Sequence, residues 1–226
     1  AAARRATGAG ATALVVDLDD RLADATDATG RAALVEALSQ GLALGTYRFG
    51  AYKDAPASAR LERIAVVAKG GRRAVTAVER GVAVAEAVAL VRDLVNTPGG
   101  DLTPVAFADR AVQVGAAAGL EVDVWDRKRI TKERLGGLLG VARGSAQEPR
   151  FVTITHRPDG RPKGRVALVG KGVTFDSGGL SIKTATGMEW MKTDMAGAAT
   201  VLAAMSLAPL VAPKLEVTAY LPLTDN

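Results

Sequence analysis

The early part of the chain alternates between short apolar runs and longer stretches whose apolar side chains recur at helical spacing. Residues 11–18 and 61–68 have the length and apolar content of strands. Residues 31–44 and 74–95 have helical spacing, so each predicts a helix. Residues 1–10, rich in alanine, arginine and glycine, are expected to be frayed.

The helix predicted at 74–95 ends at Asn-Thr-Pro-Gly-Gly (residues 96–100), because proline and glycine do not readily continue a helix. Thr103 suits an N-cap and Pro104 suits the first helical position, so a new helix is predicted from there to about Ala118. Strands are predicted after it at 120–125, 138–141, 151–155, 166–169 and 217–221, and helices at 126–135 and 188–206.

This alternation of strands and helices is typical of an α/β fold with a mixed, mostly parallel sheet. We predict two domains. Residues 1–85 form part of a small amino-terminal α/β domain, and the helix at 74–95 links it to a second α/β domain at residues 96–226.

Composition limits the kinds of site that the chain can build. There is no cysteine, so disulfides and thiolate metal sites are excluded, and His156 is the single histidine. A metal site would therefore use carboxylates, backbone oxygens, water or a neutral lysine amine. No apolar run approaches the roughly 20 residues of a membrane helix, and no secretory signal opens the chain, so a cytoplasmic protein is expected.

Positive charge is concentrated in residues 127–165, which contain eleven lysines and arginines but only three acids. The whole chain has a net charge of +5. A basic segment can bind nucleic acid. It can equally be the solvated surface of an arginine-rich protein. We favour the second interpretation because the segment has few aromatic side chains on which bases could stack.

The segment at 169–199, VGKGVTFDSGGLSIKTATGMEWMKTDMAGAA, holds the densest candidate chemistry. A predicted strand leads into it, and an alanine-rich predicted helix leaves it. Open α/β sheets place their ligands where a strand ends in such a loop. Its glycines allow close approach of backbone to a ligand, and its lysines and acids can bind metal, hold a proton or polarise a substrate.

Four charged residues of this segment have two interpretations each. Asp176 and Asp194 could converge on a divalent cation that activates water, or each could cap a turn. Lys171, between two glycines at a strand end, could be a directed amine or an exposed turn residue, and Lys183 after the strand-like step LSIK has the same ambiguity. Lys192 is interpreted mainly as a surface residue.

The stretches VGKGVTFDSGGLSIK and MKTDMAGAA closely resemble the signature of the leucyl aminopeptidase family of two-metal cytosolic exopeptidases. Supporting resemblances lie in TYRFGAYK (46–53), RDLVNTPGGDLTP (92–104), GLLGVARGSAQEPRFVTI and VTAYLPLTDN. They run from about residue 46 to the end of the chain. The resemblance implies that residues 96–226 are the first, truncated part of a metallo-aminopeptidase catalytic domain.

The resemblance also implies a role for each motif residue. Lys171 matches a lysine metal ligand, Asp176 an acid that bridges two metals, and Asp194 an acid on the same metal as the lysine. Lys183 matches the catalytic lysine that polarises the scissile carbonyl, and Met191 falls where the family lines its substrate pocket. The family uses two divalent ions, zinc, manganese or magnesium, acts on peptides, and commonly assembles as a hexamer.

One family motif is expected beyond these residues. The family completes its site with a later NTDAEGR-type segment, which supplies an aspartate, a glutamate and a catalytic arginine, and the 226 residues contain no such segment. We therefore expect these residues to be a piece of a longer enzyme and to be inactive, or nearly so, alone. Two alternatives stay open: a nucleic-acid-binding module using residues 127–165, and a non-catalytic assembly subunit.

Overall fold

The computed structural model describes residues 1–18, 27–54 and 61–226, which divide into two compact units, Ala1–Ala89 and Leu90–Asn226. Both units combine helices with strands, and this confirms the predicted α/β class. The elements beginning in the first unit are α1 (Ala2–Gly8), β1 (Ala13–Asp17), α2 (Ala28–Thr46), β2 (Arg63–Val67) and α3 (Arg72–Asn96), the last of which contains the boundary residue Ala89.

The first unit is built on a parallel pair of strands. β1 and β2 pair from Ala13 opposite Arg63 onward, and a small core of Leu18, Val35 and Ala77 lies beside them. The expectation that the first ten residues are frayed is wrong. They include α1, which packs against α2. Ala3 and Thr7 of α1 are buried for this reason, and the Thr7 hydroxyl donates to the Ala3 carbonyl.

The second unit contains the longer list of elements. They are α4 (Pro104–Ala117), β3 (Glu121–Trp125), α5 (Arg127–Lys132), α6 (Gly136–Val141), β4 (Arg150–His156), β5 (Arg165–Val169), β6 (Gly172–Val173), α7 (Ala185–Met188), α8 (Ala196–Val211) and β7 (Glu216–Thr224). The predicted start of α4 is confirmed, since the Thr103 hydroxyl accepts a hydrogen bond from the Ala106 amide and Pro104 is the first helical residue.

One mixed sheet organises this unit, in the strand order β3-β4-β7-β5, with β6 also paired to β7. The β3–β4 and β4–β7 pairings are antiparallel, whereas β5 and β6 run parallel to β7. With the β1–β2 pair included, three of the five pairings are parallel. β7 is therefore the strand that pairs with β5, which leads into the glycine-rich segment, and with β6, which lies within it.

The core lies between one face of this sheet and the helices α4 and α8. Alternate residues of β4 and β7 are buried, as expected for strands with one covered face. Phe107 of α4 and Leu202 of α8 are completely buried in the same cluster. α8 is thus anchored along its length, and its amino-terminal end is held over the carboxyl ends of β5 and β6.

Two sequence-based predictions need correction in this unit. Residues 138–141, predicted as a strand, belong to the helix α6; a short apolar run does not distinguish the two states. Residues 188–206, predicted as one helix, contain the end of α7, a 3-10 turn at Met191–Thr193 and only then α8. β7 also continues through Pro222, beyond the predicted end of the strand at residue 221.

One stretch, Ala185–Val211, has the length and the mean hydropathy, 1.5, of a helix that could cross a membrane. It contains Glu189, Lys192 and Asp194, and it is interrupted by the 3-10 turn. Most apolar side chains of α8 between Ala198 and Ala208 lie in the core of the second unit, and the large apolar side chains at the end of the helix, Leu210 and Val211, are exposed. We therefore interpret this stretch as part of the protein core.

Candidate metal centre

Lys171 lies between β5 and β6, two consecutive strands that both pair in parallel with β7. β5 ends at Val169 opposite Tyr220, and β6 begins at Gly172 opposite Leu223. The residues of β7 between these two pairings include Pro222, which has no N–H to donate to a ladder. The carbonyl of Lys171 instead accepts a hydrogen bond of 2.8 Å from the Ala198 amide of α8. Lys171 is therefore tied to the beginning of a helix as well as to the sheet.

Close backbone packing brings α8 to this point. A Cβ on Gly170 would lie 2.6 Å from Ala198 Cα and 2.8 Å from the Gly197 carbonyl oxygen. Such distances are shorter than real side chains tolerate, so a residue without a side chain is required at Gly170. The contact places Asp194, just before α8, next to Lys171.

The first lysine–aspartate pair is formed here. Lys171 Nζ lies 3.1 Å from Asp194 Oδ2, and the exposed fractions of the two side chains are 63% and 22%. This oxygen is buried and accepts no hydrogen bond from the residues that the structure describes. The contact with the ammonium is thus an ion pair without a directed hydrogen bond, and Asp194 keeps unused capacity to bind a cation.

The second pair lies after β6. Lys183 Nζ is 3.2 Å from Asp176 Oδ2, and the exposed fractions of these side chains are 32% and 18%. Oδ1 of Asp176 accepts hydrogen bonds from the Gly178 amide at 2.9 Å and from Asn226 Nδ2 at 2.8 Å. Burial by itself would raise the pKa of Asp176, but these two donors and Lys183 act in the opposite direction and hold its pKa below the ordinary value.

A tight loop returns Lys183 to Asp176. The Ser181 amide donates to the Gly178 carbonyl, and the Lys183 amide donates to the Ser177 carbonyl. The residues LSIK, interpreted from sequence as a strand-like step, are irregular, and α7 begins after the N-cap Thr184. The position of the Lys183 amine is thus set by local turns.

The structure joins the four predicted charged residues as two pairs, Lys171 with Asp194 and Lys183 with Asp176. Met191, predicted to line a substrate pocket, is half-buried in the 3-10 turn before Asp194. Lys192, interpreted as a surface residue, is instead partly buried, and its Nζ donates to the Asn96 carbonyl at the end of α3. The interpretation of Lys192 from sequence is wrong because the carbonyl at that helix end lacks a donor within the helix, and only folding brings the Lys192 ammonium to it.

Asn226 is the residue near the acids that sequence reasoning missed. Its side-chain amide bonds directly to Asp176. The available signal was weak: two polar residues, Asp225 and Asn226, follow the apolar run of β7. Polar residues at the carboxyl end of a strand are candidates for a site, but nothing in the spacing indicates that Asn226 faces Asp176.

The donor set agrees with part of a divalent metal centre. Carboxylate oxygens suit manganese and magnesium as well as zinc, and a neutral amine is a nitrogen donor. The buried, unsatisfied oxygen of Asp194 is the atom that most needs a cation. In the described residues no group of three or more histidine, cysteine, aspartate or glutamate side chains is placed to hold a metal. Lys171, Asp176 and Asp194 are therefore candidates for part of a ligand set.

The basic segment at 127–165 is partly neutralised in the fold. Arg157 pairs with Glu121 and Glu216, and Arg165 also pairs with Glu216. Further ion pairs join Arg127 and Arg150 to Glu148, and Arg129 to Asp123. Several of its cations are thus already engaged with carboxylates, which agrees with a solvated surface.

Comparisons with known proteins give consistent results. The family model described as the cytosol aminopeptidase family, catalytic domain, matches residues 89–226. A probable cytosol aminopeptidase of Rhodococcus opacus is 41% identical over 234 residues, covering 100% of this chain and 43% of the relative. One from Mycobacterium marinum is 45% identical over 237 residues, covering 100% and 44%. This chain therefore spans less than half the length of these curated relatives.

Solved structures with similar folds include two enzymes. The bottromycin maturation enzyme BotP in complex with Mn is 41% identical with a TM-score of 0.84, over 100% of this chain and 47% of that chain. A cytosol aminopeptidase from Coxiella burnetii is 29% identical with a TM-score of 0.73, over 84% of this chain and 39% of that chain. At 41% and 29% identity, these two proteins resemble the chain in sequence as well as in fold.

Proposed function

Since the chain belongs to the cytosol aminopeptidase family, we propose that it is part of a metal-dependent aminopeptidase that releases amino-terminal residues, preferably leucine-like, from peptides. The observation that carries this proposal is the pair of lysine–aspartate contacts at the ends of β5 and β6. The proposed assembly is a homo-oligomer, a hexamer by resemblance, and the proposed compartment is the cytoplasm.

Three side chains are proposed to hold divalent cations: Lys171, Asp176 and Asp194. Lys171 and Asp194 would bind the same cation, and Asp176 would contribute to both. Manganese is a reasonable first choice because BotP, a similar enzyme, has a structure in complex with Mn; zinc and magnesium are the alternatives. At such a site divalent cations polarise a carbonyl and activate water.

Lys183 is the proposed catalytic residue of this chain. Its ammonium is held beside Asp176 and remains about one-third exposed, so it can reach a substrate in the adjoining space. In that position its N–H donates a hydrogen bond to the scissile carbonyl oxygen and stabilises the negative charge that develops there. Met191 is proposed to contact the first side chain of the peptide.

The test is hydrolysis of leucine amide by the complete protein supplied with Mn²⁺. Lys183→Ala is expected to lower kcat by roughly 10²–10³-fold, as removal of an oxyanion donor does, and Asp176→Ala by at least as much. Lys132→Ala, which removes an exposed lysine of α5, is the matched control and should leave turnover unchanged.

Two outcomes would contradict the proposal. Wild-type turnover by either variant would show that the assigned roles are wrong. A wild-type protein that binds metal but hydrolyses no peptide or amide substrate would favour the non-catalytic assembly subunit instead.

A further inference from the structure

Asn226 is held opposite Asp176 by backbone hydrogen bonds on both sides. Its amide donates to the Phe175 carbonyl at 3.0 Å, and its carbonyl accepts from the Ser177 amide at 2.8 Å. These two bonds flank Asp176 in the neighbouring segment. The main chain therefore fixes where the Asn226 side chain starts, before any side-chain interaction is counted.

The side chain of Asn226 then completes the hydrogen bonding of one carboxylate oxygen. Oδ1 of Asp176 accepts from Gly178 and from Asn226 Nδ2, which uses both of its lone pairs. Oδ2 has an ion pair with Lys183 and, among the described residues, no such pair of directed donors, so it is the oxygen with capacity to bind a cation. Because an ionised carboxylate can only accept, the nitrogen of the Asn226 amide and not its oxygen must face Asp176.

The opposite side of the Asn226 amide is also constrained. Gly179 has a φ of +61°, and a Cβ on it would lie 2.8 Å from Asn226 Oδ1. The amide oxygen of Asn226 therefore lies against a backbone that carries no side chain. With its nitrogen on Asp176 and its oxygen beside Gly179, the amide group has a defined orientation.

We propose that Asn226 is a positioning residue of the metal centre: it holds Oδ1 of Asp176, so that Oδ2 is the oxygen left to face a divalent cation. The inference rests on the proposed function, in which Asp176 is a metal ligand. Residues that orient a ligand typically change metal affinity by 10–100-fold when they are replaced. Without the amide, the carboxylate can rotate and Oδ1 loses one of its two donors.

The experiment is calorimetric titration of the metal-free complete protein with Mn²⁺. Asn226→Ala is expected to raise the Kd for Mn²⁺ by about 10–100-fold, and kcat on leucine amide is expected to recover at saturating Mn²⁺. A merely structural defect would not be rescued by metal in this way. Asn226→Ser, which keeps a shorter donor, should lie between Asn226→Ala and the wild type, and it carries the comparison if Asn226→Ala does not fold.

Ser145→Ala is the matched control. The Ser145 hydroxyl donates to Asp225 Oδ2 at 2.6 Å, so this variant loosens the residue next to Asn226 without touching Asp176. Its Kd for Mn²⁺ should equal that of the wild type. If Ser145→Ala weakens binding as much as Asn226→Ala, general loosening of this strand end explains both, and the proposal is overturned.

Asp176→Ala distinguishes a failure of the positioning role from a failure of the proposed function. If Asp176→Ala weakens Mn²⁺ binding but Asn226→Ala and Asn226→Ser bind it like the wild type, the positioning role is wrong and the proposed function stands. If the wild type does not bind Mn²⁺, or Asp176→Ala binds it equally well, the metal ligand assignment fails and this inference fails with it.

Discussion

The two lysine–aspartate pairs use the same residue types in different surroundings. Oδ1 of Asp176 has directed donors from Gly178 and Asn226, and its Oδ2 has an ion pair with Lys183. Asp194 has an ion pair with the more exposed Lys171, and its buried Oδ2 accepts no hydrogen bond from the described residues. Oδ1 of Asp176 is thus fully hydrogen-bonded, whereas Oδ2 of Asp194 has the ion pair alone.

This difference indicates how a metal centre can be prepared before metal binds. A carboxylate with several donors is ordered and ionised at low cost, because hydrogen bonds replace water. A buried carboxylate oxygen without a donor costs stability until a cation reaches it. In the proposed metal centre, the pair at Asp176 would therefore supply orientation, and the pair at Asp194 would supply unsatisfied binding capacity.

The largest effect on stability is expected at Gly170, because the Lys171–Asp194 pair depends on the close backbone packing there. Gly170→Ala places a Cβ against Ala198 Cα and the Gly197 carbonyl, neither of which can move without shifting α8. We expect a loss of about 2–3 kcal/mol in the free energy of unfolding, the upper part of the range for overpacking, measured by urea denaturation. Gly164→Ala, whose Cβ would meet only Leu215 Cδ2 at 3.4 Å, should change it little.

An intermediate effect is expected from replacing each carboxylate by its amide in the metal-free protein. Asp176→Asn sets an NH₂ group against existing donors and should destabilise by about 1–3 kcal/mol, the cost of a lost charged hydrogen bond. Asp194→Asn removes a poorly satisfied charge and should be close to neutral. Equal losses in the two variants, measured by chemical denaturation, would remove the distinction between the pairs.

A small effect is also expected from replacing the exposed lysine. Lys171→Met in the metal-free protein should change the free energy of unfolding by less than about 1 kcal/mol, because an ion pair of a largely exposed lysine contributes little. Lys183→Met should cost more, since the Lys183 side chain is 32% exposed and that of Lys171 is 63% exposed. A larger loss for Lys171→Met in thermal unfolding would reverse the proposed order.

Local patterns were sufficient to predict much of the fold. Thr103 and Pro104 marked the start of α4 because capping is a property of neighbouring residues. The apolar runs of β4, β5 and β7 were found for the same kind of reason. The helix α6 was mistaken for a strand because four apolar residues fit either period. The end of β7 was missed because Pro222 ordinarily argues against a central strand.

By itself, the sequence determined that thiolate is excluded, that imidazole is limited to His156, and that Lys171, Asp176, Lys183 and Asp194 are the candidate site residues of one glycine-rich segment. Only the tertiary structure decided which lysine meets which aspartate, and that Asn226 meets Asp176. The physical reason is that capping and periodicity act between near neighbours, whereas these partners meet through strand pairing and helix packing between residues distant in sequence.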